Sequence, residues 1–421
     1  MVADAAGRVM DVPDLAPAGR RGRNFERLNP EHLVPLPRGS QLYFLPERIQ
    51  LAYSTGSRRP RPIEGCTAVA AFVPSGYVVE SLAAYERLPQ APLLPLYTYA
   101  AVCWYNHTLC VPALRVESDV KHDPGQFSES RLKRLVRHLS GRHPQNRLLE
   151  HLGRNCALRY ECANARNLFY GRWECPIPLS PTCNAACIGC ISAQPDAPIS
   201  APQQRLSFVP RVQEILDLAV PHLESAERAM VSFGQGCEGE PLLQGELMIE
   251  IIRAIRGRTD RGTIHLNTNG SRPSLVDQLC KAGLDSIRVS LNSVQSKLYE
   301  RYYRPRSYGW EHVRESIRIA RDHGLFTSIN YLTFPGLTDS PAEIDELIAF
   351  LEYTDLNMIQ WRNLNIDPDA YLDLIDLPPG VRACGIRRLI GKLRRRFPQI
   401  RHGYVNPPRE TWLTSDQTIS R

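Results

Sequence analysis

The sequence predicts an α/β protein built from parallel βαβ units, and three observations predict it. Over residues 173–367, short apolar runs alternate with helix-like stretches, the rhythm of strands joined by crossover helices. Six strand-like runs stand at 176–182, 230–235, 263–268, 285–291, 328–334 and 357–364. The helical patterns between them lie near 208–228, 243–257, 274–282, 308–323 and 340–353. Such crossovers are right-handed, so an open doubly wound sheet and a full or partial barrel both fit. In either arrangement the chemistry sits at the carboxyl ends of the strands.

The elements follow in chain order. Residues 1–26 carry Ala, Gly, Pro and Arg without an apolar h-region, so a loose tail with no secretory signal is expected. Residues 27–125 break short apolar runs (QLYFLP, TAVAAFVP, YAAVCWYN, LCVPALRV) with Pro and Gly, as a small β-rich or α+β N-terminal domain does. Residues 126–172 form a helical linker bearing Cys156 and Cys162, in which Leu132, Leu135, Val136 and Leu139 repeat at helical spacing. After the core at 173–367, residues 368–421 are expected as a C-terminal helical extension. The stretch 371–397 reads as helical, with Ile386, Leu389, Ile390, Leu393 and Phe397 on one apolar face.

Composition narrows the function. The 421 residues are 43% hydrophobic, enough to build a core, and 51 basic against 44 acidic residues leave a net charge of +7. That balance permits an acidic or nucleic-acid partner without requiring one. No run of 18 apolar residues exists to span a bilayer, and a cytoplasmic setting is expected. Twelve cysteines in a chain of this size then argue for metal or redox chemistry rather than a disulfide framework. Six of them, Cys156, Cys162, Cys175, Cys183, Cys187 and Cys190, fall within 35 residues.

Just after the first strand the row reads PIPLSPTCNAACIGCIS, giving Cys183, Cys187 and Cys190 as C-x3-C-x2-C. Thiolates select zinc, copper(I) or iron–sulfur clusters. Structural zinc usually takes four ligands, whereas three on one loop fit a [4Fe–4S] cube with one iron left open. This spacing, placed at the start of a βα repeat, resembles that of the radical S-adenosylmethionine (SAM) enzymes. The resemblance continues in FGQGCEGEPLL after the second strand, similar to the family's Gly-Glu-Pro motif, in HLNTNGS ending the third, and in IRVSLNS ending the fourth.

The resemblance implies a partial (β/α)6 TIM-like barrel and two cofactors, a [4Fe–4S] cluster on Cys183, Cys187 and Cys190, and SAM. It implies that Glu240 accepts from the SAM amino group, with Gly239 and Pro241 shaping the turn, and that Asn267, Asn269, Ser290 and Asn292 complete the SAM site. The position between the second and third cysteines, usually aromatic in the family, is Ile188. The implied reaction is reductive cleavage of SAM to methionine and a 5′-deoxyadenosyl radical, which takes hydrogen from a substrate that the sequence does not identify: a peptide, an RNA or a small metabolite. A reducing partner such as flavodoxin or ferredoxin would supply the electron.

Further residues are candidates from the sequence. Cys156, Cys162 and Cys175 could form a second centre, an iron–sulfur cluster or zinc, or stand as buried thiols. Cys237 lies in the SAM-motif loop as a candidate catalytic thiol. Asn330, Gln360, Arg362, Asn363 and Asn365 stand where the barrel mouth should be, as substrate contacts, with Tyr302, Tyr303 and Arg304 weaker candidates. Two other classes remain open. One is a non-catalytic iron–sulfur or zinc protein binding nucleic acid through the basic helices at 131–154 and 386–396. The other is a dinucleotide-dependent oxidoreductase, suggested by G-x-G-x-x-G at Gly234, Gly236 and Gly239. That motif needs a helix opening at once, which Pro241 argues against.

Overall fold

The computed structural model describes residues 1–195, 197 and 199–412. At its centre is a seven-stranded parallel sheet in sequential order: β1 (Glu174–Ile177), β2 (Met230–Phe233), β3 (Thr263–Thr268), β4 (Ser286–Leu291), β5 (Phe326–Thr333), β6 (Met358–Asn363) and β7 (Arg401–Gly403). Among the described residues β1 and β7 do not pair, so the barrel is partial. The crossovers carry α1 (Val212–Ser225), α2 (Gly245–Arg256), α3 (Pro273–Ala282), α4 (Ser296–Tyr303), α5 (Trp310–Asp322) and α6 (Pro341–Thr354). The seventh strand is a correction to the expected six; three residues of the C-terminal extension add it beside β6.

Alternation along the strands explains both faces of this sheet. Val231, Phe233, Ile264, Leu266, Ile287, Val289, Ile329, Tyr331, Ile359 and Trp361 are fully buried in one core. Their polar alternates, among them Asn267, Arg288, Ser290, Asn330 and Arg362, line the interior cavity, as the two-residue period of a strand requires. β1 begins and ends earlier than expected, which frees residues 178–190 as a loop at the mouth. α4, not foreseen between the fourth strand and the next helix, carries Tyr302 and Tyr303 beneath that loop.

The expected loose tail is also corrected. Val2–Ala3, Val9–Met10, Ala16–Arg21 and Asn24–Arg27 are strands of an eight-stranded sheet whose main ladder pairs Gln41–Tyr53 with Arg61–Phe72. Pairing supplied by distant residues gave this segment an order that its composition did not announce. The linker region contains Glu129–Arg142, Arg147–His151 and Ala163–Phe169 as helices, with a π-helical stretch at Leu152–Arg159. The helical region expected over 371–397 is divided between two helices, Pro368–Ile375 and Ile386–Arg396. Pro378, Pro379 and Gly380 break them apart. Residues 413–421 of the expected extension lie outside the described residues.

The N-terminal region, in which Tyr77–Val79 belongs to a second, four-stranded sheet, is clamped over the barrel mouth. Arg48 and Asp367, both side chains fully buried, pair at 2.9 Å, and Asp367 also accepts from Leu94 N–H at 2.9 Å. Arg20 reaches Asp369 at 2.6 Å. Asn363, at the end of β6, accepts from Val79 N–H and donates to Tyr77 O, each at 2.9 Å. Breaking one partner of such a buried pair strands a charge, so these contacts fix the orientation of the roof. No helix among the described residues is long and apolar enough to cross a membrane.

Candidate functional site

A cavity of about 740 Å³ opens at the carboxyl ends of β1–β6 beneath this roof, within the size range of small-molecule sites. Cys183 and Cys187 line one side of it, beside Gly239, Glu240 and Pro241. Arg288, Ser290, Asn330 and Arg362 line the barrel interior.

The cysteine loop is held from below by backbone. Ala186 N–H donates to Tyr303 O at 3.0 Å and Ile188 N–H to Tyr302 O at 3.1 Å. From the side, Asn184 Nδ2 donates to Ser271 Oγ at 3.0 Å, and Asn269 Nδ2 donates to Asn184 Oδ1 at 2.8 Å. The SAM-motif loop reaches the same segment: Gly239 N–H donates to Ser180 O at 2.7 Å and Glu240 N–H to Thr182 O at 2.8 Å. A Cβ at Gly239 would stand 1.9 Å from Thr182 O, so this close approach requires glycine. Gly234 is the same case: a Cβ there would stand 1.8 Å from Asn267 O, and its φ of +78° suits glycine.

Electrostatics at the triad suit a soft metal. Burial, then the neighbouring Glu240 charge, push the Cys183 thiol up to about 11. Burial, then Cys190 and Cys183, push Cys187 well up. Burial raises Cys190, offset by Ser192 N–H and the Arg205 guanidinium. Three thiols that resist ionisation together become thiolates when a cation takes the place of their protons. Their sulfur atoms do not all fall within the 4.8 Å that gathers ligands round a single ion. A cluster, which presents a separate iron to each ligand, fits this donor set better than one ion does.

Several expected residues prove to be spent on the loops themselves. Glu240 accepts from Thr268 Oγ1, from Asn269 N–H at 2.9 Å and from Leu242 N–H at 3.1 Å. About one of its four acceptor positions is left for a ligand. Burial pushes its carboxyl up to about 7 despite these donors. Asn267 donates to Phe233 O at 2.8 Å and Gly234 O at 3.0 Å and contacts His265 Nε2, so it shapes the motif loop.

Three placements are corrections. Asn292 is fully buried, donating to Tyr371 Oη at 3.0 Å and Leu298 O, away from the cavity lining. Ile188 lies outside that lining and packs against the core. Gln360 is buried behind it, accepting from Arg288 at 2.7 Å and donating to Asn406 at 2.9 Å. Asn363 and Asn365 line the cavity but also tie the roof, Asn365 through Thr98.

The cysteines outside the triad regroup as well. Cys175 is fully buried in β1, and burial raises its thiol; among the described residues it joins no metal-ligand group. Cys162 lines the cavity, while Cys156 stands against Cys237 with the sulfurs 3.4 Å apart. Sequence reasoning missed Glu238, a buried carboxylate that accepts from Leu179, Ser180 and Gln235 N–H at 2.6, 2.8 and 2.7 Å. It ties β1's exit to the motif loop. Its place two residues before Glu240 was the available signal. Arg205, beside Cys190, carried no motif, and Arg288, inside the IRVSLNS stretch of β4, was not singled out; both were missed. The G-x-G-x-x-G glycines open a 3-10 turn at Pro241–Gln244 rather than a dinucleotide-binding helix.

A loop of three thiols, a glycine-bearing motif loop packed on it and a parallel partial barrel around both make an arrangement suited to a cluster and SAM. Residues 177–351 match the family model of the Radical SAM superfamily, whose cofactors are a [4Fe–4S] cluster and SAM. It is 27% identical over 179 residues to "Molybdenum cofactor biosynthesis protein 1" of Drosophila melanogaster, covering 42% of this chain and 29% of that protein. It is 28% identical over 231 residues to a "Probable GTP 3',8-cyclase" of Aeropyrum pernix, covering 54% of this chain and 56% of that one. The chain therefore spans less than two thirds of either relative's length. Among solved structures, Streptococcus suis SuiB bound to its precursor peptide aligns with a TM-score of 0.37 at 17% identity, covering 58% of this chain and 53% of that one.

Proposed function

We propose that this enzyme abstracts hydrogen from a small anionic substrate held between the cluster loop and the inner face of β4–β6. The cluster and SAM, when bound, supply a 5′-deoxyadenosyl radical. Cys183, Cys187 and Cys190 would hold the cluster. Gly239, Glu240, Pro241, Asn269 and Ser290 would shape the SAM site, and the roof keeps water out. Excluding water protects a radical intermediate from side reactions. A flavodoxin- or ferredoxin-type reductant in a cytoplasmic setting completes the scheme.

One observation carries the anionic substrate. Arg288 and Arg362 both line the cavity, and the Nε of each is buried without a partner. Neither guanidinium forms an ion pair with a carboxylate among the described residues. Burial, then the Arg362 charge, push Arg288 down to about 9, which leaves it protonated at neutral pH. Glu174 offsets part of the Arg288 charge from a distance, and two guanidiniums without a direct ion pair facing one cavity suit a carboxylate or phosphate. Asn330, whose Oδ1 is likewise buried without a partner, would add a polar contact. GTP is a second, narrower reading, favoured by the name of the Aeropyrum pernix relative and by the triphosphate that the two arginines could take.

The test is anaerobic turnover of the reconstituted full chain with GTP and with carboxylate and phosphate metabolites, reading 5′-deoxyadenosine and substrate loss. Arg288→Gln is expected to raise KM for the true substrate about 10- to 100-fold, the worth of one charged hydrogen bond. A substrate without an anionic group that turns over equally in both proteins would overturn the proposal. The nucleic-acid reading is weaker, because Arg387 and Arg396 of the basic C-terminal helix are engaged by Glu80 and Glu352 at 2.7 and 2.5 Å.

A further inference from the structure

Beside the SAM-motif loop, at the cavity wall, three metal-ligating side chains converge. His151, Cys156 and Cys237 are all buried, and their ligand atoms lie within 4.8 Å of one another. They come from two segments far apart in sequence: Cys156 and Cys237 are separated by 81 positions.

The backbone at this point has an unusual winding. In an ordinary α-helix, positions five apart lie about 140° round the axis from each other. From Leu152 to Arg159 the chain winds as a π-helix instead, with Tyr160 N–H donating to Asn155 O at 2.8 Å. That wider turn brings His151 and Cys156, five positions apart, toward one face. π-Helical turns collect at functional sites, and here the consequence is a ligand pair aimed at Cys237.

The histidine is set up as a ligand. Its Nε2 is buried and makes no hydrogen bond of normal geometry, although the ring interacts with the Cys237 thiol; a lone pair left so costs free energy unless something takes it. Its Nδ1 stands 3.1 Å from Asn155 Nδ2, and the amide keeps its shape when its nitrogen and oxygen are exchanged. With the amide oxygen turned to the ring, Asn155 accepts the Nδ1 proton and leaves Nε2 free to coordinate. This is the outer hydrogen bond that orients most metal-bound histidines. The Phe208 ring, edge-on at 6.4 Å between centroids, packs beside the imidazole.

We infer that His151 Nε2, Cys156 Sγ and Cys237 Sγ form a zinc site, separate from the cysteine triad, with its fourth position open to the cavity. Two thiolates and a neutral imidazole around a divalent ion sum to no net charge, so the site needs no counter-ion. Zinc–sulfur bonds of about 2.3 Å at tetrahedral angles set the sulfurs about 3.8 Å apart. The observed 3.4 Å needs an opening of only a few tenths of an ångström. Three donors this close converge on a single ion and leave no room for a cube between them. Three protein ligands with a vacant fourth position is the pattern of catalytic rather than structural zinc. Cys156 and Cys237 both line the cavity, so the vacant position faces the substrate. This assignment does not depend on the anionic-substrate proposal.

The experiment is metal analysis and zinc-edge X-ray absorption on the full chain, purified and reconstituted anaerobically. The expected result is one zinc per chain beside four irons, with two sulfur and one nitrogen ligands and one further light atom. His151→Ala and Cys156→Ala are each expected to lose the zinc and keep the iron. Replacing all three of Cys183, Cys187 and Cys190 by alanine is expected to lose the iron and keep the zinc, which separates failure of this site from failure of the cluster assignment. The absorption spectrum of the unaltered protein needs no variant to fold. Absence of zinc, zinc that departs with the triad, or iron in place of zinc would each overturn the site. A third sulfur ligand, with Cys162 joining, would overturn the open position.

Discussion

Cys183, Cys187 and Cys190 belong to one loop, whereas His151, Cys156 and Cys237 meet from a π-helical turn and a loop after β2. Both groups are cysteine-rich and border the same cavity. The first can be read from spacing, because a short loop confines its thiols whatever surrounds it. The second exists only once β2 and the helical segment have packed together. A ligand set confined to a loop is thus a property of sequence, and one spread over distant elements is a property of packing.

The contrast can be broken most sharply at the triad. Cys183→Ala is expected to take SAM cleavage to background, measured as 5′-deoxyadenosine released under reducing conditions; cleavage equal to wild type would end the cluster assignment. Gly239→Ala tests the contact between the two loops. Its methyl would fall 1.9 Å from Thr182 O, where backbone must move, at a cost of about 1–3 kcal/mol. Iron retained per chain should drop sharply while zinc remains; unchanged iron would show that the loops are less tightly coupled than their distances imply.

Glu238→Gln sharpens the same comparison more gently. One carboxylate oxygen becomes an amino group facing a backbone N–H, so about 1–3 kcal/mol of stability should be lost. Denaturant midpoints of the apoprotein check this, and no change would mean that the β1 exit is held by other contacts.

The smallest effect concerns the buried histidines. Burial pushes His265 and His402 down to about 3. Between that value and the usual 6.5, the unfolded chain binds protons that the folded chain refuses. Stability therefore falls as pH drops through this window, by about 1 kcal/mol per histidine per pH unit. Urea midpoints at pH 7.5 and 5.5 should show it, and His265→Gln should flatten the slope. An equal slope in the variant would assign the acid sensitivity elsewhere.

Much of the barrel was legible because its signal is local. Apolar and polar residues alternate along β3 to β6, and the helices between them are amphipathic, so each of these elements except α4 could be placed within a few residues. The N-terminal strands were not legible. Ala16–Arg21 looks like a tail until Ala16 and Pro17 pair with Tyr53 and Ala52 and Arg20 finds Asp369. Asn292 and Gln360 misled for a related reason. A polar residue at a strand's carboxyl end satisfies itself either in the cavity or behind it, and Tyr371 and Asn406 decided the matter. The two arginines facing the cavity divide the same way. Arg362 stood in a suggestive stretch, while Arg288 is one arginine among 46 until its side is known.

The amino-acid order by itself determined the βα alternation, the three-thiol loop and the motif loop that packs on it, since spacing along a few bonded residues confines where their side chains can go. Only the tertiary structure decided which thiol pairs with which, that His151 joins them, and that Arg288 and Arg362 face one cavity. Those juxtapositions come from packing between segments far apart in the chain, and no local pattern records them.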